Sequence, residues 1–91
     1  MASADDLEYF HNKGQADGAA GNYDAPYGGA FFDVIAMNDD KLAKRRAYLL
    51  GYYHAKGEVD GAANNYDSPP SDSELRSAYD TGWKSGYDSR G

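Results

Sequence analysis

One stretch of this chain is written twice. Residues 9 to 26 read YFHNKGQADGAAGNYDAP, and residues 52 to 69 read YYHAKGEVDGAANNYDSP. Twelve of these eighteen positions are identical. A second echo is offset from the first: RRAYLLGYYHA, residues 45 to 55, matches RSAYDTGWKSG, residues 76 to 86. A repeat means one structural unit used more than once. Here the middle of the chain closes the first unit, about 9–55, and opens the second, about 52–87. The two echoes recur after 43 and 31 residues, so the first unit is longer by twelve. The excess falls at about 28–39, which reads as an insertion.

The punctuation between the echoes predicts three helices. Ser3 with Asp6 three residues on is a helix N-cap followed by an acidic first turn. Helix one is expected from about Ala4 to Ala20, ended by Gly21 and Asn22. A loop follows around Pro26. The apolar stretch Ala30 to Met37 is ambiguous between a helical turn and an extended segment. Asn38 or Asp39 can cap a second helix from about Asp40 to Ala63, ended by Asn64 and Asn65. Pro69 and Pro70 enforce another loop. Ser71 or Asp72 can cap a third helix from about Ser73 to Tyr87.

Small residues set the expected packing. Leu7, His11, Gly14, Gly18 and Gly21 share one face of helix one. Leu50, His54, Gly57, Gly61 and Asn64 form the repeated stripe on helix two. A second stripe there, Tyr48, Gly51, Ala55 and Val59, lies about 120° around the axis. Leu75, Tyr79, Gly82 and Gly86 match it on helix three, with Trp83 beside them. A glycine inside a helix costs about 1 kcal/mol relative to alanine. Close approach of a neighbouring backbone or ring explains that cost best. The expectation is an all-α, three-helix single domain over residues 1–91, with two overlapping helix-loop-helix repeats sharing the central helix.

A chain of 91 residues buries about two-thirds of its unfolded surface, so its core must be small. It has no cysteine, which excludes disulfides, thiolate metal sites and thiol nucleophiles. Its start carries Asp5 and Asp6 and no long apolar run, so neither a signal peptide nor a membrane span is expected, and a cytoplasmic home is the default. The formal charge of −6 opposes long-range attraction to nucleic acid. The basic residues cluster at Lys41, Lys44, Arg45 and Arg46, either as a local phosphate patch or as a solvated helix face. Nine of the thirteen aromatics are tyrosine, a residue that buries a ring and keeps a hydroxyl for a partner.

A GxxxGxxG run, a loop ending in Pro-Tyr, and then Arg-x-x-aromatic-x-x-Gly-aromatic resemble the ribosome modulation factor family. The first copy is Gly14, Gly18, Gly21, Pro26 and Tyr27, then Arg45, Tyr48, Gly51 and Tyr52. The second is Gly57, Gly61 and Pro69, then Arg76, Tyr79, Gly82 and Trp83. The resemblance covers about residues 10 to 87. It implies a helical hairpin and contact with a ribosome or another nucleoprotein. Members are strongly basic. This chain is acidic, with Asn64 at the third glycine and Pro70 in place of the tyrosine.

Catalytic chemistry is sparse. No nucleophile–base–orienter set, phosphate loop or metalloprotease motif is present. The run Gly14, Gly18, Gly21 follows no strand and is no dinucleotide fingerprint. His11 and His54 occupy one repeat position. With Asp17 or Asp60 they would make a zinc or proton-relay pair, whereas a packing role duplicated with its surroundings needs no ligand. The packing role is expected, with no metal and no cofactor. The two Asn-Tyr-Asp-x-Pro loops close turns through Asn and Asp side chains, and they also present Tyr23 and Tyr66 to a partner.

The expected function is therefore a non-enzymatic interaction module. Arg45, Arg46 and Arg76 would meet phosphate, Tyr52 and Trp83 would stack or pack, and Tyr23 and Tyr66 would add contacts. The alternative is a small acidic inhibitor of a host protein, such as a phage anti-defence factor, whose carboxylates fill a basic nucleic-acid groove.

Overall fold

The structure, a computed structural model, describes residues 3–26, 39–67 and 69–89. It contains three helices, α1 (Ala4–Ala20), α2 (Asp39–Ala62) and α3 (Ser73–Asp88), and no strand among the described residues. The ends follow the sequence signals. Ser3 Oγ accepts from the Asp6 amide at 3.1 Å, and Asp72 caps α3 by accepting from the amides of Glu74 and Leu75. Gly21 ends α1 with φ of 72°, and Asn64 does the same after α2 with φ of 56°. Both sit in the left-handed region, which glycine enters freely and asparagine at modest cost. Each end also carries a bond back across the last turn, from Asn22 to the Asp17 carbonyl and from Asn65 to the Asp60 carbonyl, both 2.8 Å. The insertion at about 28–39 lies almost wholly outside the described residues. So do Tyr27, the stretch Ala30 to Met37, and the Asn38 cap.

α2 touches both other helices, and α1 and α3 do not contact one another. The arrangement is thus two helix pairs joined by a shared member. Small residues let the backbones meet. A Cβ placed on Gly14 would collide with the Tyr48 carbonyl, and one on Gly18 with the Tyr52 carbonyl. Gly51 meets the His11 carbonyl in return. In the second pair, Gly57 and Gly61 abut the carbonyls of Tyr79 and Trp83, while Gly82 and Gly86 abut those of His54 and Glu58. The face of α2 that meets α1 is therefore Tyr48, Gly51, Tyr52 and Ala55. Val59, expected in that stripe, is 48% exposed. α1 ends at Ala20, too early to cover it.

These contacts fix the sense of the helices. A step of one turn along α1, from Gly14 to Gly18, is matched by a step of one turn along α2, from Tyr48 to Tyr52. The same holds between Gly57 to Gly61 and Tyr79 to Trp83. Consecutive helices run in the same direction, so the hairpin implied by the family resemblance is not formed. Each connection must travel back along the helix it has just left. Between α2 and α3, residues 63 to 72 can span at most about 33–36 Å. Returning from Ala62 to the level of Arg46 requires about 24 Å. The loop between α2 and α3 is long enough for that return.

Among the described residues the buried hydrophobic side chains are Tyr48, Tyr52, Ala55, Leu75 and Tyr79. This core is tyrosine packed against glycine, and it needs the hydroxyls satisfied. That requirement creates the principal local device of the fold.

Candidate partner interface

Each unit ties its return segment down with one tyrosine. In unit one, Tyr48 on α2 donates its hydroxyl to Asp17 Oδ2 on α1 at 2.5 Å and accepts from the Asp24 amide at 2.8 Å. Lys13 reaches Asp17 at 2.9 Å and sits 5.4 Å from the centre of the Tyr48 ring. In unit two, Tyr79 on α3 donates to Asp60 Oδ2 on α2 at 2.6 Å and accepts from the Asp67 amide at 2.9 Å. Lys56 reaches Asp60 at 2.8 Å and sits 5.3 Å from the Tyr79 ring. One hydroxyl thus joins two helices and a loop, twice.

The electrostatics follow the geometry. Burial, then the bond to Asp17, pushes the Tyr48 phenol up to about 12, and burial likewise raises that of Tyr79. The Tyr48 hydroxyl, helped by Lys13, holds the Asp17 carboxyl below its ordinary value. A tyrosine kept protonated in this way is a structural donor and a poor base. These clusters were not singled out as sites from the sequence, although the repetition of Lys13, Asp17 and Asp24 at Lys56, Asp60 and Asp67 was the available signal.

The seven residues expected at an interface separate into distinct places. Tyr52 is buried, with the Tyr23 ring edge-on at 5.0 Å and Tyr48 stacked at 6.2 Å. Tyr23 is 50% exposed and lies over this pair like a lid. Arg45 reaches back to the Pro26 carbonyl at 3.1 Å and braces the first return segment. Arg46 bridges Asp72 at 2.7 Å and Glu74 at 2.5 Å, binding α2 to the start of α3. These carboxylates raise the guanidinium pKa further, and Arg46 in turn lowers that of Asp72. Lys44 pairs with Asp40 at 3.0 Å and stands 3.9 Å from Asp6. The parallel course of the helices causes this neutralisation. It sets the acidic first turns of α1, α2 and α3 toward one end of the molecule, beside the basic block.

Tyr66, Trp83 and Arg76 do come together. Tyr66, 49% exposed, meets the Tyr79 ring at 5.4 Å and the Trp83 ring at 6.1 Å, and its hydroxyl donates to Asp80 at 2.6 Å. That bond raises the Tyr66 phenol, while Arg76 beside it pulls the other way. Trp83 stacks on Tyr87 at 5.2 Å with the planes 10° apart, and Tyr87 is 45% exposed. Arg76, Asp80, Trp83 and Tyr87 fall at spacings of four, three and four, so they share one stripe of α3. The indole Nε1 of Trp83 has no hydrogen-bond acceptor among the described residues.

The two histidines serve different contacts. The His11 carbonyl faces Gly51 between α1 and α2, and the His54 carbonyl faces Gly82 between α2 and α3. His54 Nδ1 lies 3.1 Å from Glu58 Oε1, an ion pair when the imidazole is protonated. No group of three metal-ligating side chains occurs among the described residues, and no helix there is long and apolar enough to cross a membrane. No family model, curated protein or solved structure matches this chain.

Proposed function

We propose that this protein is a non-enzymatic interaction module that docks on a ribosome or another nucleoprotein through the open edge of its second unit. The observation that carries this reading is the gathering of loop residue Tyr66 against Trp83, Tyr87 and Arg76, which share one accessible stripe of α3. Two of their counterparts in unit one are occupied: Tyr52 is buried and Arg45 is tied to Pro26. Half-open aromatic rings beside an arginine are the side-chain types that anchor interfaces. The motif resemblance supplies the partner class.

The basic block contributes less to binding than its composition suggests. Arg46 and Lys44 already answer carboxylates of their own chain. Replacing Arg46 by glutamate would repel Asp72 and Glu74 and damage the fold, so Arg76 is the cleaner probe. The same internal neutralisation favours a second reading, an acidic inhibitor that binds a basic groove of a host protein.

Sedimentation of the purified protein with bacterial ribosomes, at low and raised salt and with and without nuclease, separates the two. Co-sedimentation that Tyr87→Ser weakens at least fivefold supports the first reading, and Arg76→Glu then reads the sign of the charge that meets this edge. Absence of any ribosome association at low salt removes it and leaves the inhibitor.

A further inference from the structure

We infer that the occupant of the α3 edge is a cationic peptide segment, whose arginine or lysine side chains lie over the Trp83 and Tyr87 rings, rather than a nucleic-acid strand. The inference rests on the assignment of that edge as the interface and specifies what it recognises.

Charge is the first argument. The chain carries −6 overall. Lys13, Lys44, Lys56, Arg45 and Arg46 are each bonded to a carboxylate or carbonyl of the same chain. All but Arg45, which meets a neutral carbonyl, are thus paired with carboxylates, and the net charge of −6 favours approach of cations over anions.

Helix direction is the second argument. Because the helices run the same way, their C-terminal ends point the same way, and each such end carries partial negative charge. None of the three has a basic residue in its last turn to offset it. Trp83 and Tyr87 lie in the C-terminal half of α3, with Asp88 ending that helix, Asp80 one turn before Trp83, and Lys84 as the one cation between the two rings in sequence. Arg76 is seven residues back from Trp83, about 10 Å along the axis. Stacked rings beside carboxylates and helix C-termini hold a guanidinium or ammonium through the ring face. A phosphate strand would meet the same charges as repulsion. Such segments are what a nucleoprotein's protein components offer, so an acidic module and a nucleoprotein partner are compatible.

The chain has one tryptophan, so Trp83 emission reports directly on this edge. The probes are a synthetic arginine-rich peptide and, separately, single-stranded RNA of mixed sequence. The peptide should change the emission saturably, with affinity falling as salt rises. Tyr87→Ala and Asp80→Asn should each weaken it by about fivefold or more, with helical content by circular dichroism unchanged. Arg76→Gln gives a sign test: a cationic occupant binds two- to threefold more tightly once Arg76 is gone, and a phosphate occupant binds less tightly. RNA binding without peptide binding, or weakening of the peptide by Arg76→Gln, overturns the inference while leaving the edge as an interface. Failure of both probes to alter Trp83 emission overturns the inference and the edge assignment together.

Discussion

The two units carry the same clamp and differ in what surrounds it. In both, a tyrosine hydroxyl joins an aspartate of one helix to the amide of a returning loop, with a lysine over the ring. In unit one the neighbouring ring, Tyr52, is buried and the neighbouring arginine braces the loop. In unit two the equivalent ring, Trp83, stacks on an exposed Tyr87, and the equivalent arginine stands beside Tyr66 near the surface. Among the described residues α2 has a helix packed on each of two sides, and α3 on one. Duplication supplied one scaffold twice, and position in the array made one copy internal and the other accessible. Gly57 of α2 corresponds to Asp88 of α3, so a further helix could not approach α3 as closely as α3 approaches α2.

The largest effects should come from the glycine contacts. Gly14→Ala and Gly57→Ala both drive a methyl into a backbone carbonyl, which cannot rotate away. Each is expected to cost about 3 kcal/mol or more, at the upper end of overpacking penalties. Urea unfolding measures this. Equal losses support equivalent units, and a marginal loss at Gly57 alone would make the second helix pair the looser one.

Next come the clamps. Tyr48→Phe and Tyr79→Phe keep the ring and remove the hydroxyl, leaving an aspartate and a loop amide without their partner. About 1–3 kcal/mol is expected for each. If Tyr48→Phe were neutral while Tyr79→Phe was costly, only the second return segment would depend on its clamp.

Alkaline pH tests the same bonds in the wild-type chain. The unfolded chain loses its tyrosine protons near pH 10, whereas Tyr48 holds its proton to about 12. The contribution of this group is therefore complete below pH 10 and is lost as pH rises through about 12. Unfolding midpoints should fall over that window, and Tyr48→Phe should flatten the slope. An unchanged slope in that variant would show that the hydroxyl is not the group responsible.

The smallest effect concerns the helix ends. No atom lies within 4 Å of a Cβ built on Gly21, so substitution there tests only backbone conformation. Gly21→Ala should cost about 1 kcal/mol, and Gly21→Asn less, since Asn64 already holds this conformation in unit two. Thermal melts ranking asparagine below alanine would argue against equivalent ends.

Much of this was legible in the chain. Ser3, Asp72, Gly21 and Asn64 mark helix ends because capping and left-handed turns are local chemistry, decided within four residues. Where the seven residues expected at an interface would lie was not legible. Tyr66, Trp83 and Arg76 assemble, but nothing in their local sequence sets them apart from Tyr23, Tyr52 and Arg45, which the first unit absorbs. The clamps were missed because a tyrosine at helical spacing reads as a core ring, and the partners of its hydroxyl lie 12 to 31 residues away.

The sequence by itself determined the duplication, the three helices, their ends, and the small residues on which they pack. Those follow from periodicity and from short-range backbone preferences. Only the tertiary structure decided that consecutive helices run in the same direction. A stripe of glycines permits close approach from either sense, and the choice is made by return segments anchored through Tyr48 and Tyr79. That direction places the acidic first turns beside Lys44 and Arg46. It pairs Lys44 and Arg46 of the basic block with carboxylates and gathers the C-terminal helix ends on the opposite side. Side-chain charge can be counted along a chain, but where it remains uncompensated depends on which helix ends share a side.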